Sequence, residues 1–355
     1  MSGPVAASVA PALAVLRGAA DRILALQSAS GAIPWFEDGP WDAWNHAECV
    51  MALGAMGEID AMRAGLNHLA ETQAADGSWL GGYGNALPME GRLRIARVPA
   101  PVVRDTNFTA YPATALWHAW RLTDDEALVR RLWPTVRSAI RFGLAYQHDE
   151  GDISWSAEAY GTDADDAVLA GNASIHRSIG DALRLAVLVG DPQPGWEEAR
   201  GRLRAAIMGR PDRFDRRDTD RSGFAMDWYY PVLSGALSRA ASWTRLRFGW
   251  RRFVEIGRGC RCVAGEPWAT VAETAELAMA LIGLGRRREA ATLLGWQERH
   301  RTGDGAYWMG WQFAEGIAWP QETPGWTQAA MILATDALTA TSRAHDVLTA
   351  REERG

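Results

Sequence analysis

Apolar residues recur along this chain in two ways, and the difference predicts two kinds of helix. In segments 8–27, 59–73, 124–147, 192–208 and 286–299, Leu and Ala alternate with Arg and Glu at helical spacing. That is the pattern of a helix with one face buried and the other in water. In segments 42–56, 105–121, 170–189, 226–240, 267–284 and 324–340 the bodies are apolar on nearly every side, as in Cys49-Val50-Met51-Ala52-Leu53 and Met331-Ile332-Leu333-Ala334. A helix apolar all round must lie inside. Arg245 to Arg252 and Arg286 to Arg288 read as solvated faces of outer helices.

A repeated phrase punctuates the pattern: a helix end with Gln, a polar stretch with Gly, then Trp. It occurs as Gln27, Gly31 and Trp35, as Gln73, Gly77 and Trp79, and as Gln147, Gly151 and Trp155. It returns, stretched, as Gln297, Gly305 and Trp308. Glycine there suits a helix C-cap in the left-handed region. Internal repetition with alternating outer and inner helices predicts an all-α fold, an (α/α)6 toroid with six inner and six outer helices, as one domain over 1–355. Segment 340–352 would extend the last inner helix or cap the ring. A long loop, 76–104, holds several Gly and Pro residues and should lie on the functional face. Short hints of strand occur only around 93–104.

Composition narrows the chemistry. A chain of 355 residues with 48% hydrophobic and 23% charged residues has an ordinary globular balance. A net charge of -6 argues against nucleic acid or an anionic membrane as partner. The sequence contains no lysine, which excludes Schiff-base chemistry and the phosphate-loop lysine. Three cysteines, Cys49, Cys260 and Cys262, make no disulfide framework, and Cys260-Arg261-Cys262 lacks the spacing of a zinc knuckle. No basic start precedes an apolar stretch at the N-terminus, and no apolar run reaches transmembrane length. The expectation is a cytoplasmic protein without metal or cofactor; its oligomeric state is not specified.

If the inner helices begin on one face, their first turns converge. The first opens with Trp41-Asp42-Ala43-Trp44-Asn45-His46-Ala47-Glu48, and the second with Asp105-Thr106-Asn107 and Tyr111. Trp155, Glu158, Asp163, Asp165 and Asp166 precede the third, which carries Asn172 and His176. Asp227-Trp228-Tyr229 opens the fourth, Glu266-Pro267-Trp268 with Glu273 the fifth, and Trp311, Gln312, Glu315, Trp319, Glu322 and Trp326 surround the sixth. A single acid at a helix start is often only an N-cap, worth about 1 kcal/mol. His46 and His176 read as hydroxyl-binding or core residues, since nothing pairs them at ligand spacing. Yet the chain has 18 Trp, many of them beside these acids. Indoles beside carboxylates and amides suit a sugar, whose apolar face stacks while its hydroxyls need acceptors. Glycoside hydrolysis needs two carboxyl groups across the scissile bond, which facing helices can supply.

Three stretches resemble the six-hairpin glycosidases, the clan of glucoamylases and related mannosidases. Trp41-Asp42 is similar to the segment that holds the sugar at the cleavage subsite, and Gly265-Glu266-Pro267-Trp268 to the opening of the fifth inner helix. Asp149-Glu150-Gly151 through Trp155 and Glu158 resembles the loop with the general acid. In length, Trp content and toroid the chain is most similar to the α-endomannosidases of methylmannose polysaccharide. That resemblance implies internal cleavage of α-1,4-linked, partly 3-O-methylated mannose. The catalytic pair expected is Asp42 and Glu266, and an inverting course would set their carboxyls about 6.5–9.5 Å apart. The glucoamylase pattern would instead place acid and base near Glu158 and near Glu315 or Glu322. Trp41, Trp44, His46, Asp105, Asn107, Tyr111, Trp155, Glu158, Asn172, His176, Asp227, Trp228, Tyr229, Trp268, Glu273, Trp311, Gln312, Glu322 and Trp326 are the substrate-binding candidates.

Two other classes share the toroid. Asp163-Ala164-Asp165-Asp166 satisfies the Asp-x-Asp-Asp of class II terpene cyclases, whereas the prenyltransferase zinc site has no counterpart near Cys260 and Cys262. A non-catalytic glycan-binding toroid would use the Trp residues without opposed carboxyls.

Overall fold

The computed structural model describes residues 11–84, 103–157, 166–214 and 221–349. Glu158, Asp163, Asp165 and most of the 76–104 loop, with its strand hints, lie outside them.

Among the described residues, twelve longer helices follow one another: α1 (Arg17–Leu26), α2 (Ala43–Ala55), α3 (Ile59–Thr72), α4 (Pro112–Thr123), α5 (Glu126–Leu144), α6 (Leu169–Val189), α7 (Trp196–Gly209), α8 (Ala225–Leu233), α9 (Arg239–Phe253), α10 (Val271–Gly283), α11 (Arg287–Gln297) and α12 (Gly325–Thr339). The even-numbered helices pack in a closed cycle: α2 on α4, α4 on α6, α6 on α8, α8 on α10, α10 on α12, and α12 back on α2. Each odd-numbered helix packs outside a neighbouring even one. The apolar-all-round segments are the inner ones, and the core runs from Leu13 to Leu348.

Three boundaries differ from the sequence pattern. The second inner segment breaks into a short helix, Thr106–Ala110, and α4, because Pro112 takes the first position of a new helix. The fourth ends at Leu233, and the outer helix α9 starts at Arg239, inside the segment expected to be inner. Trp243, Phe248 and Trp250 among its arginines obscure the apolar stripe. The fifth starts at Val271 rather than 267, with Thr270 as its cap.

The chain is not all-α. Five short strands, β1 (Val254–Glu255), β2 (Gly259–Arg261), β3 (Trp268–Thr270), β4 (Gly310–Gln312) and β5 (Ile317–Ala318), form an antiparallel sheet in chain order. Strands of two or three residues are too short to show alternation, so no sequence period marks them.

The Gln-Gly phrase is a structural clamp. Gln27, Gln73 and Gln147 each donate their side-chain amide twice: to the carbonyl of Gly31, Gly77 or Gly151, and to that of Ala61, Thr135 or Ala199 on the next outer helix. The glycines are not helix C-caps. They sit four residues past the Gln, in turns at φ +88° to +100°, where only glycine is at ease. Two residues beyond each glycine, an N–H is held by an inner-helix side chain: Ile33 by His46, Trp79 by Thr109 and Ile153 by Asn172. Cys260 on Thr274 and Tyr307 on Gln328 repeat the last bond. The Gly305 turn packs on Gly18 of α1, which joins the last hairpin to the first helix.

Past α12 the chain caps the ring rather than extending the helix. Ala340 turns left-handed, and Leu348 reaches the axis beside Arg177, whose Nη1 donates to the Val347 carbonyl. Among the described residues no helix is long and apolar enough to cross a membrane.

Candidate active site

The starts of the inner helices need caps, and acids supply them. Asp42 caps α2, accepting from the Asn45 amide at 2.8 Å. Its other oxygen accepts from the Asn45 side chain and from Trp35 Nε1, both at 2.6 Å. The side chain has 0% exposure. Burial pushes its carboxyl up, although four hydrogen-bond donors, the Asn45 side chain and amide, the Trp35 indole and the Trp44 amide, oppose the shift. Asp105 caps the short helix through the Phe108 amide at 2.8 Å. Burial pushes Asp105 up to about 7, and the charge of Asp42 adds to that.

Asp105 also lines a cavity of about 460 Å³ at the mouths of α2, α6 and α8. Trp44, Asn107, Trp155 and Asn172 line it too, so five of the expected residues meet there. Arg221 joins them, bonded to Asp227 at 3.1 Å. No pattern around Arg221 marked it. Asn172 is committed to structure as well: its side chain bonds both the N–H and the carbonyl of Ile153.

Beneath Trp44 the ring axis is polar. Trp44 Nε1 donates to Glu48 at 3.0 Å, and Tyr111 donates to the same oxygen at 3.4 Å. Tyr229 donates to Glu276. Glu48, Tyr111, Tyr230 and Glu276 border a small enclosed space of about 20 Å³, closed by Arg177 and Leu348. Burial pushes Glu48 up to about 7, with the charge of Asp42 adding to the shift, and pushes Glu276 well above the usual carboxylate range, with the charge of Glu48 adding there. Glu48 closes the opening stretch of α2, and Glu276 lies one turn past Glu273 in α10, just before the apolar run Leu277 to Ile282.

A pH dependence follows from Glu48. The fold keeps it protonated where the unfolded chain ionises it, so its contribution is full below about pH 4.5 and is lost as pH rises through about 7. Glu48→Gln should therefore flatten the decline in stability between about pH 5 and about pH 8, by on the order of 3 kcal/mol at ~1.4 kcal/mol per pH unit. Urea unfolding of both proteins across that range checks it. Parallel curves would contradict it.

On the other side of the mouth lies an aromatic cluster of Trp35, Phe36, Trp268, Trp319 and Trp326. Trp35 and Phe36 meet Trp326 edge-on at 5.6 and 5.7 Å, and Trp268 meets Trp319 at 5.2 Å and donates to its carbonyl. Asp42 is bonded to Trp35 of this cluster, and Glu266 precedes its Trp268 by two residues in the chain. Glu266 is exposed, in the turn between β2 and β3, and so is not in the first turn of a helix. Glu273 is in that first turn; burial raises its carboxyl, and the Cys262 thiol bonds it.

Other candidates are placed elsewhere. His46 is buried with both ring nitrogens bonded, to the Ile33 N–H and the Gly65 carbonyl, and burial holds it down at about 4. His176 lies buried in the body of α6 near Arg177 and Arg200, held neutral by burial first and those charges second. Trp41 stacks on Tyr83 at 4.4 Å, and Trp228 on Phe253 at 5.0 Å, facing α9. Asp227 caps α6 by accepting from the Ala170 amide at 2.8 Å. Trp311 packs on His300, Gln312 accepts from the Glu315 N–H, and the Glu322 carbonyl accepts from Met309. Glu315 is exposed. Asp166 is buried and bonds the Ala167 amide. Among the described residues no His, Cys, Asp and Glu cluster could hold a metal ion.

No protein-family profile matches the chain. It is 41% identical over 326 residues to the MMP endo-(1,4)-3-O-methyl-α-D-mannosidase of Mycolicibacterium hassiacum, covering 92% of this chain and 86% of that protein. Similar solved structures include a glycosidase variant in complex with glucose, with a TM-score of 0.69 at 13% identity, over 95% of this chain and 99% of that one. The GH63 mannosylglycerate hydrolase of Thermus thermophilus, in complex with Tris and D-glycerate, gives a TM-score of 0.64 at 14% identity, over 89% and 99%.

Proposed function

We propose, because this chain belongs to the same glycoside hydrolase family as the Mycolicibacterium endo-mannosidase, that it cleaves α-1,4-linked, partly 3-O-methylated mannose chains internally. It is a glycoside hydrolase of mannose-containing substrates; the linkage, the methylation and the inverting course belong to the proposal. The closed cycle of inner helices with outer partners is read as an (α/α)6 toroid, whose mouth is the cleft. The observation that carries the reading is the family relationship, together with carboxyls and indoles gathered at that mouth.

Asp42 and Glu266 are the proposed pair. Burial raises the Asp42 carboxyl and so favours the protonated form that the leaving oxygen needs. Reaching the substrate requires the Trp35 indole to move off its carboxyl. Glu266, exposed beyond Trp268, takes a proton from the water that attacks the anomeric carbon from the opposite face. The C–O bond breaks as the water oxygen bonds carbon, and the anomeric configuration inverts.

Asp105 offers a second reading of the acid, because it lines the open cavity and is pushed up to about 7. Digesting α-1,4 oligomannosides, with the anomer read by proton NMR, tests the reaction. Internal products released as the β-anomer are expected; stepwise loss of terminal sugars, or α-anomer release, would count against it.

A further inference from the structure

The 460 Å³ cavity has two unlike walls. Asp105 and Asn107 supply one. Asn107 is 5% exposed, and its Oδ1 has no hydrogen-bond partner. A buried amide oxygen without a partner is costly, on the order of 1–3 kcal/mol, unless something occupying the site satisfies it. Gly171 faces it: a Cβ there would come within 3.4 Å of the Asn107 Cβ and narrow the space. Beside Arg221, Trp44 and Trp155, the lining has an apolar wall of three residues, Val168 and Met226, half-buried, and Ile175, buried. None of these three offers a side-chain hydrogen bond to a hydroxyl. A sugar with every hydroxyl free would leave one of them dry against this wall, whereas a methyl ether would bury its carbon.

We propose that this cavity is the subsite that selects O-methylated mannose, with Val168 and Met226 receiving the methyl ether and Asp105 and Asn107 bonding free hydroxyls of the same residue. The inference rests on the hydrolase reading above and adds the residues that make methylation visible to the enzyme. Asn107, two residues past the cap at Asp105, donates or accepts by turning its amide, so its orphan oxygen takes a hydroxyl proton. The apolar wall is shaped by the first turns of α6 and α8, which are positioned by the Asn172 and Asp227 bonds.

The test compares kcat/KM for 3-O-methylated and unmethylated α-1,4 oligomannosides of equal length. The variants are Val168→Thr, which adds a hydroxyl at nearly constant shape, and Met226→Gln. The preference for the methylated chain should fall about tenfold in each variant, the scale a pocket achieves for one methyl group. An unchanged ratio, with wild type and variants cleaving both chains, would overturn this assignment and leave the hydrolase reading standing. If the wild type cleaved neither chain, the hydrolase reading and this inference would fall together. Loss of both activities in Met226→Gln alone would mark a folding defect, and Val168→Thr would then decide.

Discussion

Asp42→Asn and Glu266→Gln should each lower kcat on α-1,4 oligomannosides about a thousandfold, within the range for removing a general acid or base. The helical circular dichroism should be unchanged. Asn at 42 can still accept from the Asn45 amide, so the cap of α2 survives in part. Its amide would nonetheless meet donors, since Trp35 Nε1 and Asn45 Nδ2 now bond the second oxygen. A structural role for Asp42 would also reduce activity, so the leaving group separates the two explanations. An aryl mannoside with an acidic phenol departs without protonation. Asp42→Asn should recover most of its rate on that substrate, whereas Glu266→Gln should not, because water still needs its base. Equal losses on both substrates would make Asp42 a cap only, and recovery by Asp105→Asn instead would favour the second reading.

Gly151→Ala should destabilise the protein by about 3 kcal/mol, much more than Gly190→Ala. Both glycines have positive φ, 100° and 74°. The difference lies in what a methyl group would meet. At Gly151 a Cβ would come within 2.4 Å of the Arg202 carbonyl oxygen, on α7, while at Gly190 nothing lies within 4 Å. Gly190→Ala should thus cost only the strain of the backbone, about 1 kcal/mol. Urea midpoints of the two variants check this, and equal losses would mean that the Gln147 turn does not fit as tightly against the next outer helix as described.

The ring was legible because its cause is repetitive. An inner helix is apolar on all sides, and an outer one is not; five of six outer and all six inner segments follow from that contrast. The sheet was not legible, since strands such as Val254–Glu255 and Gly259–Arg261 are shorter than any period. The mouth was legible in part. Trp44, Asp105, Asn107, Trp155 and Asn172 do converge on one cavity. His46 and Asn172 also occupy the same place in the repeat as Thr109, Thr274 and Gln328, where the side chain holds the backbone of the preceding turn. Their polarity near a helix start suggested ligand binding because a clamp and a sugar contact use the same groups. Glu276 was hidden for the opposite reason, lying in the body of α10 instead of at an end where acids were sought, while Glu48, in the opening stretch from Trp41 to Glu48, carried no mark of its own.

The most direct measurement is a crystal structure of Glu266→Gln with a 3-O-methylated α-1,4 mannotetraose. The scissile oxygen should lie within hydrogen-bond reach of Asp42, with Trp35 displaced, and residue 266 should face the anomeric carbon with the two side chains about 6.5–9.5 Å apart. A sugar bound across the mouth with Asp42 still sealed beneath Trp35 and Asn45, and Asp105 nearest the glycosidic oxygen, would contradict the proposed pair.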